Sequence, residues 1–506
     1  MSLATAPRPA PRAPSPPAGR RPLIAWACAL CVALGLAARA AQFGRGLSYW
    51  YDEAYLLLNV FHRDCLSLLG AIDHNVPMPP LFLWLMRGVY LLGGAGEWVM
   101  RLPAAVAGVA AVVLMVPLAR RVVGGTGWAL AVCFVALSRN ALLHGAEVRP
   151  YTLDLLLTEA ILLATLVVLG DSSPRARQGA WAALWALALA GPWLSFPSAF
   201  GLGGASAALF WANRKGASRA ARLAWLALNA LTALSGALLW YFSARHLYYP
   251  GLTEHWAAGW SGFPDWSRPG AALLWLLTRL STVAGYGTDD MGVPVALLAV
   301  VGFVVLARTR PAVAVGLVVP LLLALGAACL GKYPLADRTA LFAAPCAWLP
   351  AAVGVEALRR SLFRRWPAVA LLVPAVLLAP GVIHMSKLLV VPRPNTAFRE
   401  AFAFVEGVRR PDDVLFVSHV EVYEVYCGRE PPALGAGDLD RLGEAARHNR
   451  VWLVRCLSPM CRGGPCLPEA EQRVEEAGGR PTLLRRDFQG LEVALYEPDS
   501  SLRAKR

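Results

Sequence analysis

Long apolar segments separated by short arginine clusters dominate residues 22–387. A helix that crosses a bilayer needs about 20 apolar residues, and arginine-rich loops mark the cytoplasmic side. The clusters that we place inside are Arg8 to Arg21, Arg120–Arg121, Arg175–Arg177, Arg214–Arg222, Arg308–Arg310 and Arg359–Arg365. Alternation between sides predicts about eleven spans, namely 22–42, 101–119, 127–145, 150–170, 179–191, 193–211, 221–241, 291–307, 312–331, 339–357 and 366–387. The pattern therefore predicts an all-α polytopic membrane protein with its N-terminus inside and its C-terminus outside.

Two further apolar stretches, residues 79–94 and 271–287, each carry an arginine in mid-run. If either stretch crossed the membrane, the next arginine cluster would fall on the outer side, against the positive-inside pattern. We therefore expect both stretches to be helices that lie at the outer interface. The alternative is that they are two ordinary spans.

Both ends of the chain differ from its apolar middle. Residues 1–21 are rich in Pro, Ala and Arg, and such a segment predicts a disordered cytoplasmic N-terminus because it cannot bury a core. The run 22–41 is long enough to be the first span, and the alternative is a signal peptide, since LAARAA resembles a cleavage site. Residues 388–506 predict a small extracytoplasmic α/β domain. Its evidence is three strand-like runs and one helix-like run, at 414–420, 451–457, 491–497 and 469–478.

The composition supports a membrane protein and argues against nucleic-acid binding. Apolar residues make up 57% of the chain and charged residues 16%, whereas soluble domains have roughly 45–50% and about 25%. The net charge of +15 sits in short loops between apolar runs. That distribution is typical of cytoplasmic loops rather than of a basic face on a soluble domain.

Two adjacent carboxylates, Asp52 and Glu53, follow an aromatic cluster in the first outer loop, residues 43–100. The segment reads SYWYDEAYLLL, and carboxylates beside a bilayer are costly unless they are used. If it is held near a developing charge, we expect Asp52 to act as a general base on an acceptor hydroxyl. The alternative is that Asp52 only caps the helix that begins at Glu53.

Cationic and hydroxyl side chains gather on two other turns that we place outside. They are Arg149 and Tyr151 in AEVRPYTLDLLL (146–157), and Lys332, Tyr333 and Arg338 in GKYPLADRTALFAAP (331–345). Arginine offers phosphate a planar fork and lysine a point charge. The alternatives are that Arg149 only snorkels to the interface, and that Lys332 and Arg338 belong to a solvated loop.

These segments, together with DHNVPMPPLFLWLMRG (73–88) and RLPAAVAGVAAVVL (101–114), resemble in their order the GT-C glycosyltransferases of the family 39 type. That group includes protein O-mannosyltransferases and the aminoarabinose transferase of lipid A. Its members have an Asp-Glu pair in the first outer loop, followed by HPPL-Y-like, RLPS-like and E-x-RPY-like segments and a late Lys/Arg-rich turn. The resemblance covers residues 22–390 and is strongest to the bacterial branch of unassigned substrate. One departure is that Met78 stands before the double proline where the family often has His.

The resemblance implies an inverting hexosyl- or pentosyltransferase that uses a polyprenyl-phosphate sugar at the outer face of a bacterial inner membrane. The implied acceptor is a lipid, glycan or protein of the cell envelope, and membrane lipids surround the enzyme. The implied residues are Asp52 and Glu53 as catalytic, Arg149, Tyr151, Lys332, Tyr333 and Arg338 as donor-phosphate ligands, and Tyr51, His74 and Glu147 as substrate-binding. The resemblance fixes no cofactor; a divalent metal is an option without a legible ligand set.

Two other function classes remain open. A transporter or flippase of lipid-linked sugars would bury ionisable residues at mid-membrane, whereas the mid-span residues here are mostly Ala, Leu, Val and Gly. A non-catalytic protein that binds lipid-linked glycans is the third reading, and the intact Asp52–Glu53 pair argues against it.

Residues 388–506 contain two further motifs. Asp438-Leu439-Asp440 spells the D-x-D of metal-dependent nucleotide-sugar enzymes, and we interpret it as the start of a helix. Four cysteines, Cys427, Cys456, Cys461 and Cys466, predict disulfides because the compartment is oxidising. A four-cysteine zinc site is the alternative.

Overall fold

Helices carry nearly all of the apolar segments. The computed structural model describes residues 21–247, 254, 256–257, 261–288, 290–362, 367–391, 397–428, 433–456 and 467–498, so the predicted disorder of residues 1–21 lies almost entirely outside the described residues. The helices before the C-terminal region are α1 (Arg21–Gly44), α2 (Tyr51–His62), α3 (Pro80–Gly93), α4 (Glu97–Val122), α5 (Gly127–Leu137), α6 (Arg139–His144), α7 (Tyr151–Leu169), α8 (Pro174–Leu194), α9 (Ser198–Asn213), α10 (Arg219–Phe242), α11 (Pro269–Thr288), α12 (Gly292–Thr309), α13 (Pro311–Cys329), α14 (Ala344–Ser361) and α15 (Pro367–Val390). Short 3₁₀ turns occur at Ser67–Leu69, Asp73–Asn75, Ala244–His246, Asp337–Ala343 and Ala436–Asp438.

Eight helices of the described chain are long and apolar enough to cross a membrane. They are Ile24–Gly44, Glu97–Val122, Tyr151–Leu169, Arg219–His246, Gly292–Thr309, Pro311–Cys329, Asp337–Ser361 and Leu372–Val390. Each lies on a predicted span. The other predicted spans, 127–145, 179–191 and 193–211, also form helices, but these are too short or too polar to count among the eight. The predicted class, a polytopic helical membrane protein, is thereby confirmed.

The span that ends in α14 is the central helix of the bundle. In its most apolar stretch 89% of the residues are buried, against 22%, 17% and 22% in the candidate spans of α1, α10 and α15. Glycines let α12 approach α14 closely, because a methyl group at Gly302 would lie 1.8 Å from the carbonyl oxygen of Pro350. Small residues are the usual means by which membrane helices pack at short distance.

The predicted span 127–145 is divided at Ser138 into α5 and α6. The hydroxyl of Ser138 caps the first turn of α6. Arg39 of α1 donates to the carbonyls of Val135 and Ala136, each at 2.9 Å. A buried carbonyl needs a partner inside a bilayer, so Arg39 stabilises the break.

The stretches predicted as interfacial form α3 and α11. α3 has 14 residues, a length of about 21 Å at 1.5 Å per residue, which is less than the roughly 30 Å of a hydrocarbon core. α11 is 20 residues long but is not one of the eight apolar helices. Their mid-run arginines bind backbone carbonyls of other segments. Arg87 donates to Val60 at 2.8 Å and Phe61 at 2.7 Å in the last turn of α2, and Arg279 donates to Leu335 at 2.7 Å in a loop. The interfacial position of α3 and α11 stays a prediction.

The C-terminal region folds around a four-stranded sheet of order β1-β2-β4-β3. Strand β1 (Val414–Val417) is parallel to β2 (Val451–Cys456), and β4 (Leu491–Pro498) is antiparallel to both β2 and β3 (Gly479–Phe488). The helices here are α16 (Phe398–Val408), α17 (Val420–Cys427), α18 (Leu439–Ala446) and α19 (Leu467–Glu476). The three predicted strands are confirmed, and β3 was not predicted because GRPTLLRRDF mixes proline and charge with few apolar residues.

Both motifs of the C-terminal region have structural explanations. The carboxylate of Asp438 accepts the backbone N–H of Gly435 at 3.1 Å just before α18 begins, which confirms the interpretation of D-x-D as a helix start. Cys456 is disulfide-bonded and Cys427 is a free thiol, so a zinc site that uses all four cysteines is not formed. Cys461 and Cys466 lie outside the described residues.

Candidate active site

Asp52 lies in the first turn of α2 and is held by two arginines from distant parts of the chain. Arg338 Nη1 donates to Asp52 Oδ2 at 2.6 Å. Arg149 Nη2 lies 3.2 Å from Asp52 Oδ1 and also donates to the Asp52 carbonyl. The Asp52 side chain keeps 16% exposure, so it is enclosed without being sealed from solvent. Three of the predicted site residues therefore meet at one carboxylate.

Glu53 is completely buried and has a different environment from its neighbour. Its carboxylate accepts hydrogen bonds from Arg101 Nε at 2.9 Å and Nη2 at 2.6 Å, and from the backbone N–H of Val148 at 2.8 Å. It also accepts the N–H of Trp50 at 3.2 Å. Glu53 thus joins the first loop to the segment that carries Arg149. This geometry favours a positioning role over the catalytic role expected from the sequence.

The short turn Asp337–Ala343 presents Arg338 to the site. The turn is closed by Tyr333, whose hydroxyl donates to the Thr339 carbonyl at 2.8 Å. Asp337 has a φ of 43°, a left-handed conformation that costs energy for a residue other than glycine. Tyr333, predicted as a phosphate ligand, therefore holds the turn. Lys332 lies just before this turn in the chain and is exposed.

Three aromatic rings enclose the guanidinium of Arg338. The rings of Trp50, Tyr151 and Trp256 have their centroids 5.7, 5.8 and 5.9 Å from its central carbon. Such cation–π contacts are attractive without fixing one hydrogen-bond direction. Tyr151, which was predicted to bind phosphate through its hydroxyl, therefore contributes its ring in this structure.

Arg149 is far less accessible than Arg338. Its side chain is 3% exposed, against 18% for Arg338. Its Nε is buried and has no hydrogen-bond partner within the described residues. The Nε–H of Arg149 is therefore a donor near the Asp52 carboxylate that no described residue accepts.

Glu147 begins a buried hydrogen-bonded chain that the sequence analysis missed. Its carboxylate lies 2.7 Å from His144 Nδ1, and His144 Nε2 lies 2.5 Å from the hydroxyl of Tyr286. The His144 ring packs edge-on against Tyr151 at 5.0 Å. Glu147 therefore orients a histidine behind the Arg338 cage. Tyr286 is 142 positions from His144, and no local pattern links the two.

Tyr51, the first residue of α2, and His74, in the turn Asp73–Asn75, both lie next to the C-terminal region. Tyr51 stacks on His419 with centroids 4.8 Å apart, and Tyr55 stacks on His74 at 4.9 Å. His74 Nδ1 lies 3.7 Å from a carboxylate oxygen of Glu421. Burial lowers the pKa of His419 to about 4, so this ring is neutral at physiological pH.

The C-terminal region packs against residues 43–100, which contain Asp52. The hydroxyl of Tyr426 donates to Glu97 at 2.8 Å and accepts the N–H of Tyr49 at 2.6 Å. Arg399 also donates to Glu97 at 2.8 Å. Ala54 of α2 belongs to the same apolar core as the C-terminal helices α16 and α17. The position of Asp52 thus depends on residues beyond the membrane helices.

Within the described chain, no group of three or more His, Cys, Asp or Glu side chains is arranged to hold a metal ion.

Comparison by sequence gives a match to one family over about a third of the chain. Residues 77–240 match the family of dolichyl-phosphate-mannose-protein mannosyltransferases. The matched segment covers α3 to α10 and includes Arg149 and Tyr151, but neither Asp52 nor Arg338. No curated protein matches the chain by sequence.

Comparison by structure finds GT-C enzymes over almost the whole chain. The apo crystal structure of ArnT from Cupriavidus metallidurans aligns over 94% of this chain and 98% of its own, with a TM-score of 0.57 and 14% identity. ArnT bound to undecaprenyl phosphate gives 0.54 over 93% and 98%, at 15% identity. The oligosaccharyltransferase AglB from Archaeoglobus fulgidus, in complex with an inhibitory peptide and a dolichol-phosphate, gives 0.51 over 96% of this chain and 75% of its own, at 12% identity. The GT-C fold and the resemblance stated from the sequence are confirmed, with the substrate unassigned.

Proposed function

We propose that this multi-pass membrane protein of GT-C fold transfers a sugar, with inversion, from a polyprenyl-phosphate donor to a hydroxyl of a lipid, glycan or protein at the outer face of the membrane. The observation that carries this proposal is the cluster of Asp52, Arg149 and Arg338. Sugar transfer from a lipid phosphate needs a base for the acceptor and cations for the departing phosphate. Three separate segments bring both to one place.

The chemistry uses each member of the cluster. The acceptor oxygen attacks the anomeric carbon, and its proton passes to Asp52. The bond between the anomeric carbon and the phosphate oxygen breaks, and the phosphate leaves with the electron pair. Arg149 and Arg338 stabilise that growing negative charge, and a guanidinium suits it because its planar fork can donate two hydrogen bonds to one phosphate.

The solved relatives support a lipid phosphate as donor. One solved structure of ArnT contains undecaprenyl phosphate, and one of AglB contains a dolichol-phosphate. These are two polyprenyl phosphates bound by two enzymes of the same fold. The family that matches residues 77–240 is likewise described by a dolichyl-phosphate sugar.

The other residues around the cluster receive supporting roles in this proposal. Glu53 positions the loop, and Tyr51 and His74 line the acceptor side next to the C-terminal region. Lys332, exposed just before the turn that carries Arg338, meets the phosphate as it approaches from the membrane surface. Residues 22–387 form the catalytic membrane domain, residues 388–506 an extracytoplasmic domain, and residues 1–21 a cytoplasmic terminus. The proposed location is a bacterial inner membrane, with the cluster on the periplasmic side.

One observation favours a second candidate, a transporter or flippase of lipid-linked sugars. Glu159 is fully buried within α7, and neither of its carboxylate oxygens has a hydrogen-bond partner in the described part of the chain. Ionisable residues buried in spans often mark ion or substrate pathways. We rank this candidate second because the larger charged cluster, around Asp52, lies at the ends of α2 and α7 rather than along the middle of a span.

The experiment that tests the proposal compares cell-envelope glycolipids and glycans of a deletion strain and its parent by mass spectrometry. We expect one sugar to be missing from one acceptor and the corresponding polyprenyl-phosphate sugar to accumulate. Purified protein should then move that sugar in vitro and release the polyprenyl phosphate. An unchanged envelope, or loss of the sugar with the purified protein inactive on the accumulated donor, would contradict the proposal.

A further inference from the structure

We infer that Asp52 and the donor phosphate are alternative partners of Arg338, so that the general base is released as the phosphate takes over the arginine. This inference rests on the proposed function and adds an order of events to it. The donor binds first, and only then is Asp52 ready for the acceptor.

Each carboxylate oxygen of Asp52 faces an arginine. Arg338 donates to Oδ2 at 2.6 Å and Arg149 lies 3.2 Å from Oδ1. Hydrogen bonds to the ionised form of a carboxylate oppose its protonation. An Asp52 that keeps both arginines is therefore a poor acceptor for a proton, and it must lose at least one partner to act as a base.

Arg338 is the more accessible of the two partners, with a side chain that is 18% exposed against 3% for Arg149. Its guanidinium lies among the rings of Trp50, Tyr151 and Trp256 at nearly equal distances, 5.7 to 5.9 Å. Ring faces attract a cation over a range of positions, so a small displacement inside this cage costs little. Arg149, by contrast, is almost completely buried and also bonded to the Asp52 backbone.

The charges change in the direction that the exchange requires. A sugar-linked polyprenyl phosphate is a phosphodiester with one negative charge, and the released phosphomonoester carries roughly 1.5 to 2 charges at neutral pH. Asp52 loses its charge when it accepts the proton. Arg338 is thus attracted to the phosphate as the glycosidic bond breaks, at the stage when its attraction to Asp52 disappears.

The exchange makes a prediction that a static ion pair does not make. If the phosphate and Asp52 compete for Arg338, removal of the Asp52 charge should strengthen the binding of a phosphate. Asp52→Asn should bind undecaprenyl phosphate about three- to tenfold more tightly than the wild type, because the negative charge that competes with the phosphate for Arg338 is removed. Arg338→Ala should bind it at least tenfold more weakly.

The experiment titrates the purified full-length protein with undecaprenyl phosphate and follows tryptophan fluorescence, because Trp50 and Trp256 border Arg338. The double variant Asp52→Asn/Arg338→Ala should bind as weakly as Arg338→Ala alone. The matched control is Asp265→Asn, which removes a carboxylate from the exposed pair with Arg268 and should bind as the wild type does. If Asp52→Asn does not elute as a folded protein, Asp52→Ser replaces it.

The outcomes separate this inference from the proposed function. If the wild type does not bind undecaprenyl phosphate, or Arg338→Ala binds it equally well, the proposed donor site is wrong. If Arg338→Ala weakens binding but the Asp52 variants bind no more tightly than the wild type, the donor site stands and the exchange of partners is overturned. Tighter binding by the double variant than by Arg338→Ala would also overturn it, because the gain would then not pass through Arg338.

Discussion

Asp52 and Arg338 are 286 positions apart in the chain, and their side chains are joined by a hydrogen bond of 2.6 Å. The first lies in the first turn of α2 and the second in a turn that precedes the most buried helix, α14. A buried network around Glu53 holds the α2 side of this pair in place. The pair that we propose for catalysis and the network that supports it can be separated by experiment.

The first prediction concerns that support. Glu53→Gln should lower the thermal stability of the protein, because Arg101 would remain as a charge that is 4% exposed and lacks its partner carboxylate. Breaking a buried ion pair from one side costs roughly 3–5 kcal/mol. Thermal unfolding in detergent measures this, with Asp265→Asn as the exposed control. A Glu53→Gln protein as stable as the wild type would show that the buried pair does not hold the loop.

The second prediction concerns pH and the contact between α2 and the C-terminal region. Burial lowers the pKa of His419 from 6.5 to about 4, so between these values the unfolded chain binds a proton at His419 that the folded chain does not. Stability therefore falls as pH falls through this window, by at most about 1.4 kcal/mol per pH unit. His419→Gln should lose less stability than the wild type between pH 7 and pH 5. Denaturation curves at both pH values measure the difference, and parallel losses in the two proteins would contradict the burial of this ring.

The third prediction separates the two candidate functions. Glu159→Gln should leave sugar transfer within a few-fold of the wild type, because Glu159 lies two helical turns beyond Tyr151 on α7 and takes no part in the chemistry around Asp52. A transporter that moves its substrate past this carboxylate should lose its activity instead. The measurement is the envelope sugar restored by this variant in the deletion strain. Complete loss of that sugar, with normal amounts of protein in the membrane, would favour the transporter.

Local pattern was sufficient to predict most of the helices, because an apolar segment of span length has few other structures available. It did not predict the break at Ser138, which depends on Arg39 of another helix. For the site as well, local pattern predicted which residues matter but not which contacts they make. The sequence placed Asp52 and Arg338 on one side of the membrane, but only the fold brings them into contact.

The roles of neighbouring residues were harder to predict than their positions. Asp52 and Glu53 are adjacent in sequence, yet one is partly exposed and the other is completely buried. The difference comes from the direction each side chain takes from α2, and from Arg101 and Val148, which reach only Glu53. No pattern in the first loop carries that information.

The fourth prediction concerns topology, on which every site assignment depends. An impermeant maleimide applied to intact cells with a cysteine-free background should label single cysteines at positions 64, 332 and 441, and should not label them at 171, 215 and 362. All six positions are exposed in the structure, so labelling reports the side of the membrane rather than burial. Permeabilised cells should show labelling at all six. Labelling at 215 together with protection at 332 would invert the chain and place the cluster on the cytoplasmic side.

The most direct test of the central claim is the amount of the missing envelope sugar in the deletion strain after complementation with Asp52→Asn. The account predicts that the variant is present in the membrane at wild-type level and fails to restore the sugar, because a general base contributes about 10²- to 10⁴-fold to such a reaction. Asp265→Asn should restore it fully. Wild-type amounts of the sugar made by Asp52→Asn, at equal protein level, would contradict the assignment of Asp52 as the base and with it the proposed mechanism.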